Sequence, residues 1–134
     1  MPSTRETAQK YIDYLAALKF KDAFEMLAPD GKYTIIGKTP LSQIYSRSDL
    51  LNVLAPGLAE FKQPPTLTFS DLIVDGNRAV ALASGHGIAP TGLAYVQPHY
   101  AMVLRIENGQ VTEVVEFMDT VEIETKILGR KLVD

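Results

Sequence analysis

The chain has 134 residues, of which 46% are hydrophobic and 22% charged, a composition typical of a globular protein long enough to bury a core. Its formal net charge of −3 and its scattered Lys and Arg residues argue against nucleic acid as a partner. It contains no cysteine, and no apolar run approaches the ~20 residues of a membrane span, so thiol chemistry and a membrane partner are not expected. The N-terminus shows no signal-peptide pattern, so we expect a cytoplasmic protein in which residues 1–134 form a single domain.

Three helices are predicted in the N-terminal half. Ser3 and Glu6 have the spacing of a capping box, which predicts a helix from about Thr4 to Leu18. Its buried face is expected to carry Ala8, Tyr11, Ile12, Leu15 and Leu18. A second helix is predicted over 21–27 and ends at the Pro29-Asp30-Gly31 turn. A strand over 32–36 and a loop over 38–47 follow. Ser48 is expected to cap a third helix, whose buried stripe would be Leu50, Leu51, Leu54 and Leu58.

The C-terminal half reads as strands. Residues 66–74 and 78–84 flank an Asp75-Gly76-Asn77 turn, whereas three glycines and a proline make 85–95 a loop or an irregular strand edge. Two further strands, 98–106 and 111–119, flank Asn108-Gly109, and Ile123, Ile127, Leu128 and Leu132 suggest a short closing helix. Helices followed by an antiparallel sheet predict an α+β fold in which the helices cover one face of a curved sheet.

The Asn108-Gly109 turn sets the expected pairing of the last two strands. A two-residue loop places Ile106 opposite Val111, and continued without interruption it pairs Val103 with Val114, Ala101 with Glu116, and His99 with Met118. One face would then carry His99, Ala101, Val103, Val114, Glu116 and Met118, and the other Tyr100, Met102, Leu104, Ile106, Val111, Val115 and Phe117. Because both faces are largely apolar, we expect the face with Tyr100, Met102, Leu104, Val115 and Phe117 to bury against a second copy of the chain.

Four short segments carry a family resemblance: Gly37-Lys-Thr-Pro-Leu-Ser42 followed by Tyr45, His99-Tyr100, Gly109-Gln-Val111, and Glu116-Phe-Met-Asp-Thr120. With the order of elements, they resemble the NTF2-like superfamily, which includes SnoaL-like and ketosteroid isomerase-related proteins. The resemblance implies a cone, in which three N-terminal helices pack on a strongly bent antiparallel or mixed β-sheet and enclose an apolar pocket. It also implies a homodimer formed through the outer sheet face.

The resemblance narrows the reactions that can be expected of this chain. The ketosteroid isomerase pattern keeps its tyrosine at Tyr11 but has Ile35 in place of the general base, and Ala101 or Met102 in place of the acid. The Arg–Asp pair of limonene epoxide hydrolases is missing from the strand Ala79–Ser84. SnoaL-type cyclases rely on one pocket carboxylate, which Glu116 matches. The resemblance therefore implies a cofactor-free isomerase, cyclase or dehydratase that acts on a small apolar molecule; the alternatives are a non-catalytic apolar-ligand-binding domain and a protein–protein adaptor.

Glu116 and His99 are the expected catalytic residues. Among Val114, Met118 and Ala101 the carboxylate would be poorly solvated, which raises a pKa; a solvated edge or an ion pair is the alternative. On the predicted register His99 lies diagonal to it, about 7–8 Å away, as its partner or as a polar pocket liner. The expected pocket-binding residues are Tyr11, for which a core aromatic is the alternative, with Tyr33, Tyr45, Ala101, Val103, Val114, Met118 and Asp119.

No metal or cofactor is expected. His86, His99 and Glu116 could be assembled into a two-His-one-carboxylate set, but nothing in their spacing requires one. The sequence lacks a P-loop, a dinucleotide-binding glycine motif, a zinc-protease motif and a nucleophile elbow.

Overall fold

The computed structural model describes residues 2–133, which fold as helices packed on one face of a six-stranded sheet. The first elements are α1 (Thr4–Ala16), α2 (Phe20–Glu25), β1 (Leu27–Ile35) and β2 (Ile44–Tyr45). A helical stretch follows, made of α3 (Arg47–Asp49), a π-helical turn (Leu50–Leu54) and α4 (Ala55–Ala59). The remainder is β3 (Gln63–Asp75), β4 (Arg78–Ile88), β5 (Ala94–Glu107), β6 (Gln110–Phe117), α5 (Thr120–Glu122) and a second π-helical turn (Ile123–Ile127).

The capping box at the start of α1 is confirmed. The Ser3 hydroxyl accepts from the Glu6 N–H at 3.0 Å, and the Glu6 carboxylate accepts from the Ser3 N–H at 3.1 Å. The helix ends two residues earlier than predicted because Leu18 adopts a left-handed conformation with φ of 62°. Leu18 therefore does not continue the buried stripe, and its side chain is exposed.

Two local predictions in the next segment are wrong. Pro29-Asp30-Gly31 does not end a helix; these residues lie within β1, where the register against β6 shifts between Leu27 and Lys32. The third helix is capped by Ser46 rather than Ser48, because the Ser46 hydroxyl accepts from the Asp49 N–H at 3.0 Å and the Asp49 carboxylate accepts in return from Ser46. Pro56 has no N–H for the carbonyl four residues earlier, which favours the wider π-helical turn before α4.

The sheet is mixed, with strand order β2-β1-β6-β5-β4-β3; β1 and β6 run parallel and every other neighbouring pair is antiparallel. The predicted turn between Asp75 and Arg78 is confirmed, with Gly76 at φ of +60°. The 85–95 segment is more regular than expected, since Gly85 to Ile88 continue β4 and Ala94 begins β5. A Cβ on Gly87 would meet the Gln63 carbonyl at 2.6 Å, so glycine lets β3 and β4 approach here.

The hairpin turn is confirmed, but the register beyond it is not as predicted. Asn108 and Gly109 both have positive φ, and Ile106 pairs with Val111. Thr112 is then an extra, unpaired residue: a β-bulge places Arg105 opposite Glu113, and the Thr112 hydroxyl donates to the Arg105 carbonyl at 3.2 Å. Every later pair is shifted by one residue, so the predicted pairs Val103–Val114, Ala101–Glu116 and His99–Met118 are wrong.

The bulge also redistributes the two faces of the sheet. Glu116 pairs with Met102, Val114 with Leu104 and Phe117 with Ala101. The inner face, which α1 covers, carries Tyr100, Met102, Leu104, Ile106, Val111, Val114 and Glu116, whereas the outer face carries His99, Ala101, Val103, Val115 and Phe117. The predicted dimer face, which combined Tyr100, Met102 and Leu104 with Val115 and Phe117, therefore does not exist as one surface.

The C-terminal residues cover part of the inner face. α5 and the second π-helical turn form the expected closing helix, with Ile123 buried and Ile127 and Leu128 packed beside it. Leu132 does not take part, since it is 73% exposed. Between residues 2 and 133, no helix is long and apolar enough to cross a membrane.

Candidate functional site

A cavity of about 400 Å³ lies between the inner face of the sheet and the helices that cover it. Four buried tyrosines line its interior together with Glu116: Tyr33, Tyr45, Tyr95 and Tyr100. The rest of its wall is largely apolar and comes from α2, the stretch from Val53 to Phe61, and the C-terminal segment with Ile123, Ile127 and Leu128. Val53, Glu60 and Pro90 line the cavity and are also exposed, which places its mouth beside them.

The Thr112 bulge brings Glu116 to this cavity. The Tyr33 hydroxyl donates to Oε2 of Glu116, across the parallel pairing of β1 and β6. Oε1 accepts no hydrogen bond within the described chain, and this oxygen keeps some accessible surface. One carboxylate oxygen is therefore fixed by Tyr33, and the other is open to the cavity.

The electrostatics of the pair follow from its burial. Although Glu116 as a whole residue keeps some accessible surface, its carboxyl group lies among the tyrosines, and loss of hydration raises its pKa above the ordinary 4.5. The hydrogen bond from Tyr33 opposes this rise, since it stabilises the ionised form. Burial, followed by the charge of Glu116, raises the pKa of Tyr33 well above its ordinary value, so the shared proton stays on Tyr33.

Tyr11 belongs to the buried core rather than to the cavity wall. It is 2% exposed, and its hydroxyl makes no hydrogen bond within residues 2–133. Burial, followed by the charge of Glu116, raises its pKa well above the ordinary value. Tyr11 thus fits the core aromatic that the sequence left as an alternative, since the cavity wall does not include it.

A second polar cluster borders the same cavity through two of its members, Tyr95 and Tyr100. The Tyr95 and Tyr100 hydroxyl oxygens are 3.2 Å apart, and the Gln97 side-chain amide donates to the Tyr95 oxygen at 2.9 Å. Gln97 is fully buried and also holds the backbone of Asp119, donating to its carbonyl at 2.8 Å and accepting from its N–H at 2.9 Å. The cluster therefore ties the cavity wall to the junction where the C-terminal helical segment begins.

The predicted Glu116–His99 pair is wrong. His99 is exposed on the outer face, in a surface groove that Ala101 and Phe117 also line, while Glu116 faces the cavity. The cause is the Thr112 bulge. It places the β6 residues that follow it on the opposite face of the sheet from the one predicted relative to β5.

The predicted pocket residues divide into three groups. Tyr33, Tyr45 and Met118 line the cavity, and Val114 is buried on the inner face without lining it. Ala101 and Val103 lie on the outer face, so their prediction as pocket residues is wrong for the same reason as that of His99. Asp119 does not line the cavity either; its carboxylate accepts from the Val121 N–H at 2.9 Å and caps α5.

Sequence reasoning missed Tyr95, Tyr100 and Met102 as parts of the cavity wall. Gln97 follows Tyr95 by two residues, but Tyr100 follows Gln97 by three. The register shifts by one residue between the Gly85–Gln97 and Ala83–Tyr100 pairs, so all three side chains are buried. The two tyrosines of β5, one on each side of Gln97, were the available signal.

Over residues 2–133, no group of three or more His, Cys, Asp or Glu side chains is placed to hold a metal ion. His86 and His99 are exposed, whereas Glu116 faces the cavity, so the three residues considered together in the sequence do not meet.

Comparison with known proteins identifies the family. The sequence model of the SnoaL-like domain matches residues 8–114, ending two residues before Glu116. No curated protein matches the chain. Among solved structures, an NTF2-like protein from Burkholderia thailandensis superposes with a TM-score of 0.82 at 17% identity, over 93% of this chain and 97% of the other.

Two further structures have the same fold. A putative SnoaL-like polyketide cyclase from Jannaschia gives a TM-score of 0.73 at 19% identity, over 96% of this chain and 93% of the other. TerC, crystallised with polyporic acid, gives 0.77 at 16% identity, over 93% of this chain and 98% of the other. At these identities the likeness establishes the fold alone.

Proposed function

The chain belongs to the SnoaL-like domain family and has the NTF2-like fold, and we propose that it is a cofactor-free enzyme of the isomerase, cyclase or dehydratase type. Glu116 is the general acid/base of this proposal. The observation that carries it is the carboxyl group in the cavity wall, with Oε2 held by Tyr33 and Oε1 open to a ligand. A raised pKa brings such a group closer to the pH at which it both accepts and returns a proton.

The proposed chemistry is proton transfer at carbon or oxygen. Ionised Glu116 removes a proton from the substrate through Oε1. The hydrogen bond from Tyr33 holds the carboxylate in place and limits the rise of its pKa. The protonated carboxyl group then returns the proton to a different atom of the intermediate, which gives an isomer, a ring-closed product or a dehydrated one. No electron transfer is involved, so no redox cofactor is needed.

The proposed substrate is a small, mainly apolar molecule. The cavity wall is apolar and aromatic apart from Glu116, the tyrosine hydroxyls and the exposed Glu60 at the mouth, and a site of this composition favours an apolar ligand with few polar groups. The presence of polyporic acid in crystals of TerC, which shares the fold, supports a small-molecule ligand.

Hydrogen–deuterium exchange tests this proposal without knowledge of the natural substrate. A bicyclic, enolisable ketone such as 2-tetralone is incubated with the protein in D2O, and deuterium uptake at carbon is followed by NMR. We expect the protein to accelerate uptake and Glu116→Gln to lower the rate by about a hundredfold or more. Glu60→Gln, at the exposed mouth, is the matched control and should retain the rate.

The same experiment separates the alternative function. Equal rates for the wild type and Glu116→Gln contradict the acid/base role. If a set of such ketones binds but none exchanges faster than in buffer, the protein is instead a binding domain for apolar ligands.

We also propose a homodimer formed through the outer sheet face. Register places Ile44, Thr34, Val115, Val103, Val80 and Ile73 side by side, one residue from each strand. A charged row formed by Lys32, Glu113, Arg105, Arg78 and Asp75 runs beside it. An apolar stripe bordered by charges that crosses a whole sheet has the composition of an interface with a second copy.

A further inference from the structure

Two glutamates are the only charged side chains among the described residues that line the cavity. Glu116 lies inside it and Glu60 at its exposed mouth, and the lining residues include no Lys, Arg or His. No salt bridge within residues 2–133 involves Glu116. When Glu116 is ionised, its charge therefore has no counter-ion in the described part of the chain.

The neighbours of this carboxyl group do not supply the missing positive charge. Oε2 accepts from a neutral hydroxyl, that of Tyr33, and Oε1 is open to the cavity. The other titratable side chains around it are tyrosines, and burial raises the pKa of each above its ordinary value, so that they stay neutral: Tyr11, Tyr33, Tyr45, Tyr95 and Tyr100. A desolvated carboxylate without a charged partner is costly, and a cation at Oε1 would offset that cost.

The aromatic wall decides which kind of cation fits. Three phenylalanines line the cavity with the four tyrosines, and two of them pack edge-to-face on tyrosines: Phe24 on Tyr33 and Phe61 on Tyr95, with ring centroids 5.9 and 6.1 Å apart. Ring faces attract ammonium groups, more strongly where water is excluded, and they also contact the apolar body of an organic ligand. A small, strongly hydrated metal ion is not favoured, because this wall has too few oxygens to replace its water. The site therefore favours an organic cation.

We propose that the cavity binds an organic ammonium ion with one aromatic or alicyclic body, whose N–H group donates to Oε1 of Glu116. The apolar body lies against the aromatic wall, and the two opposite charges pair away from water. Where the free carboxyl group is protonated, it releases its proton to solvent as the ammonium ion binds. The inference goes beyond the proposed function, since it uses the position of Glu116 but no proton transfer at the ligand. Because such an amine occupies Oε1, it should also inhibit deuterium uptake by 2-tetralone.

Three probes with one naphthalene body test the charge preference: 2-naphthylmethylammonium, 2-naphthylmethanol and 2-naphthoate. Their binding is measured by calorimetry at about pH 8, where a primary ammonium group is still protonated. We expect the ammonium ion to bind about tenfold more tightly than the alcohol, because its hydrogen bond joins two charged groups. The carboxylate probe should bind about tenfold more weakly than the alcohol, because its charge has the same sign as that of Glu116.

Proton release gives a second, independent measurement. At a pH between 4.5 and the raised native pKa, Glu116 is partly protonated in the free protein. Binding of the ammonium ion should therefore release protons, and its affinity should rise with pH through this window. Calorimetry in two buffers with different heats of ionisation measures the release. The alcohol should release none.

Variants locate the negative charge. Glu116→Gln keeps the shape of the side chain, so it should remove both the preference for the ammonium ion and the proton release. Binding of the alcohol and of the neutral ketone 2-acetylnaphthalene checks that the cavity of this variant is intact. Glu60→Gln removes one negative charge at the mouth instead and is the matched control; it should keep both effects.

The proposal is overturned if the wild type binds the ammonium ion no more tightly than the alcohol, a comparison that requires no variant to fold. It is also overturned if Glu116→Gln, still binding the alcohol, keeps the preference, since the cation is then held by Glu60 or outside the cavity. Failure here leaves the deuterium-exchange result on Glu116 intact. Conversely, a preference that depends on Glu116 without exchange of 2-tetralone rejects the proposed enzyme and keeps the cation site.

Discussion

At the scale of single residues, the cavity has two opposed effects on the protonation of Glu116. Removal from water favours the protonated carboxyl group, and the Tyr33 hydroxyl favours the carboxylate. Since desolvation is the larger effect, the native state holds its proton to higher pH than the unfolded chain does. This difference links the stability of the fold to the chemistry of the site.

Replacing Glu116 should therefore change how stability depends on pH. Between 4.5, the ordinary pKa, and the raised native pKa, the folded protein binds more protons than the unfolded one, so the free energy of unfolding falls as pH rises through this window. Glu116→Gln removes that fall. We expect the stability of the variant relative to the wild type to increase with pH through this window and to become constant above it.

Urea unfolding from below pH 4.5 to neutrality measures the effect, with Glu60→Gln as the control for loss of a carboxylate at the exposed mouth. A relative stability of Glu116→Gln that decreases over the same pH range would mean that Glu116 is stabilised as the carboxylate, contrary to the desolvation argument.

At the scale of elements, a single extra residue decides which way the site faces. Glu116 points into the cavity because Thr112 is unpaired between the Ile106–Val111 and Arg105–Glu113 pairs. On this register, removing Thr112 leaves a regular hairpin in which Glu116 still pairs with Met102. Removing Val115 instead moves Glu116 opposite Val103 on the outer face and turns Phe117 inward.

The two deletions make a matched pair. We expect deletion of Thr112 to preserve the fold and ligand binding, at a cost of about 1 kcal/mol for the lost hydrogen bond to the Arg105 carbonyl. Deletion of Val115 should unfold the protein or abolish binding of 2-acetylnaphthalene. Thermal unfolding followed by circular dichroism, together with binding of that ketone, measures both. Equal effects of the two deletions would contradict the assigned register.

Local signals explain what the sequence could and could not predict. The capping box at Ser3 and the Asn108-Gly109 turn were predictable because each depends on neighbouring residues. The bulge at Thr112 was not, because nothing in its residue type distinguishes it from a paired strand residue; its position depends on pairing with two other strands. Glu116 and Tyr33 were identified as site residues, but the residues of β5 that share their face were not, because the pairing of β5 with β6 depends on that bulge.

At the scale of the whole molecule, the sheet separates two largely apolar surfaces. The inner face packs on α1 and encloses the cavity, whereas the outer face is crossed by the apolar row that includes Val80, Val103 and Val115. Neither π-helical turn lies on the outer face: residues of both line the cavity. A dimer formed through the outer face would leave the cavity mouth free.

Val103 lies near the middle of that outer row, so a charge there should oppose assembly. We expect Val103→Glu to convert the dimer to a monomer, because the carboxylate would be buried without a partner at the interface. Sedimentation measures the mass, and circular dichroism checks the fold. Leu132→Glu, at an exposed residue outside the sheet, is the control and should remain dimeric. A monomeric wild type would reject the proposed interface.

The titration of Glu116 itself, followed by ¹³C NMR of its carboxyl carbon and assigned with Glu116→Gln, is the decisive test of its proposed acid/base role. We expect a midpoint above the ordinary 4.5, a further rise in Tyr33→Phe because the hydrogen bond that lowers the pKa is lost, and a shifted resonance when 2-tetralone binds. A midpoint at or below 4.5 that neither Tyr33→Phe nor the ketone changes would contradict the placement of Glu116 as a desolvated acid/base in the cavity.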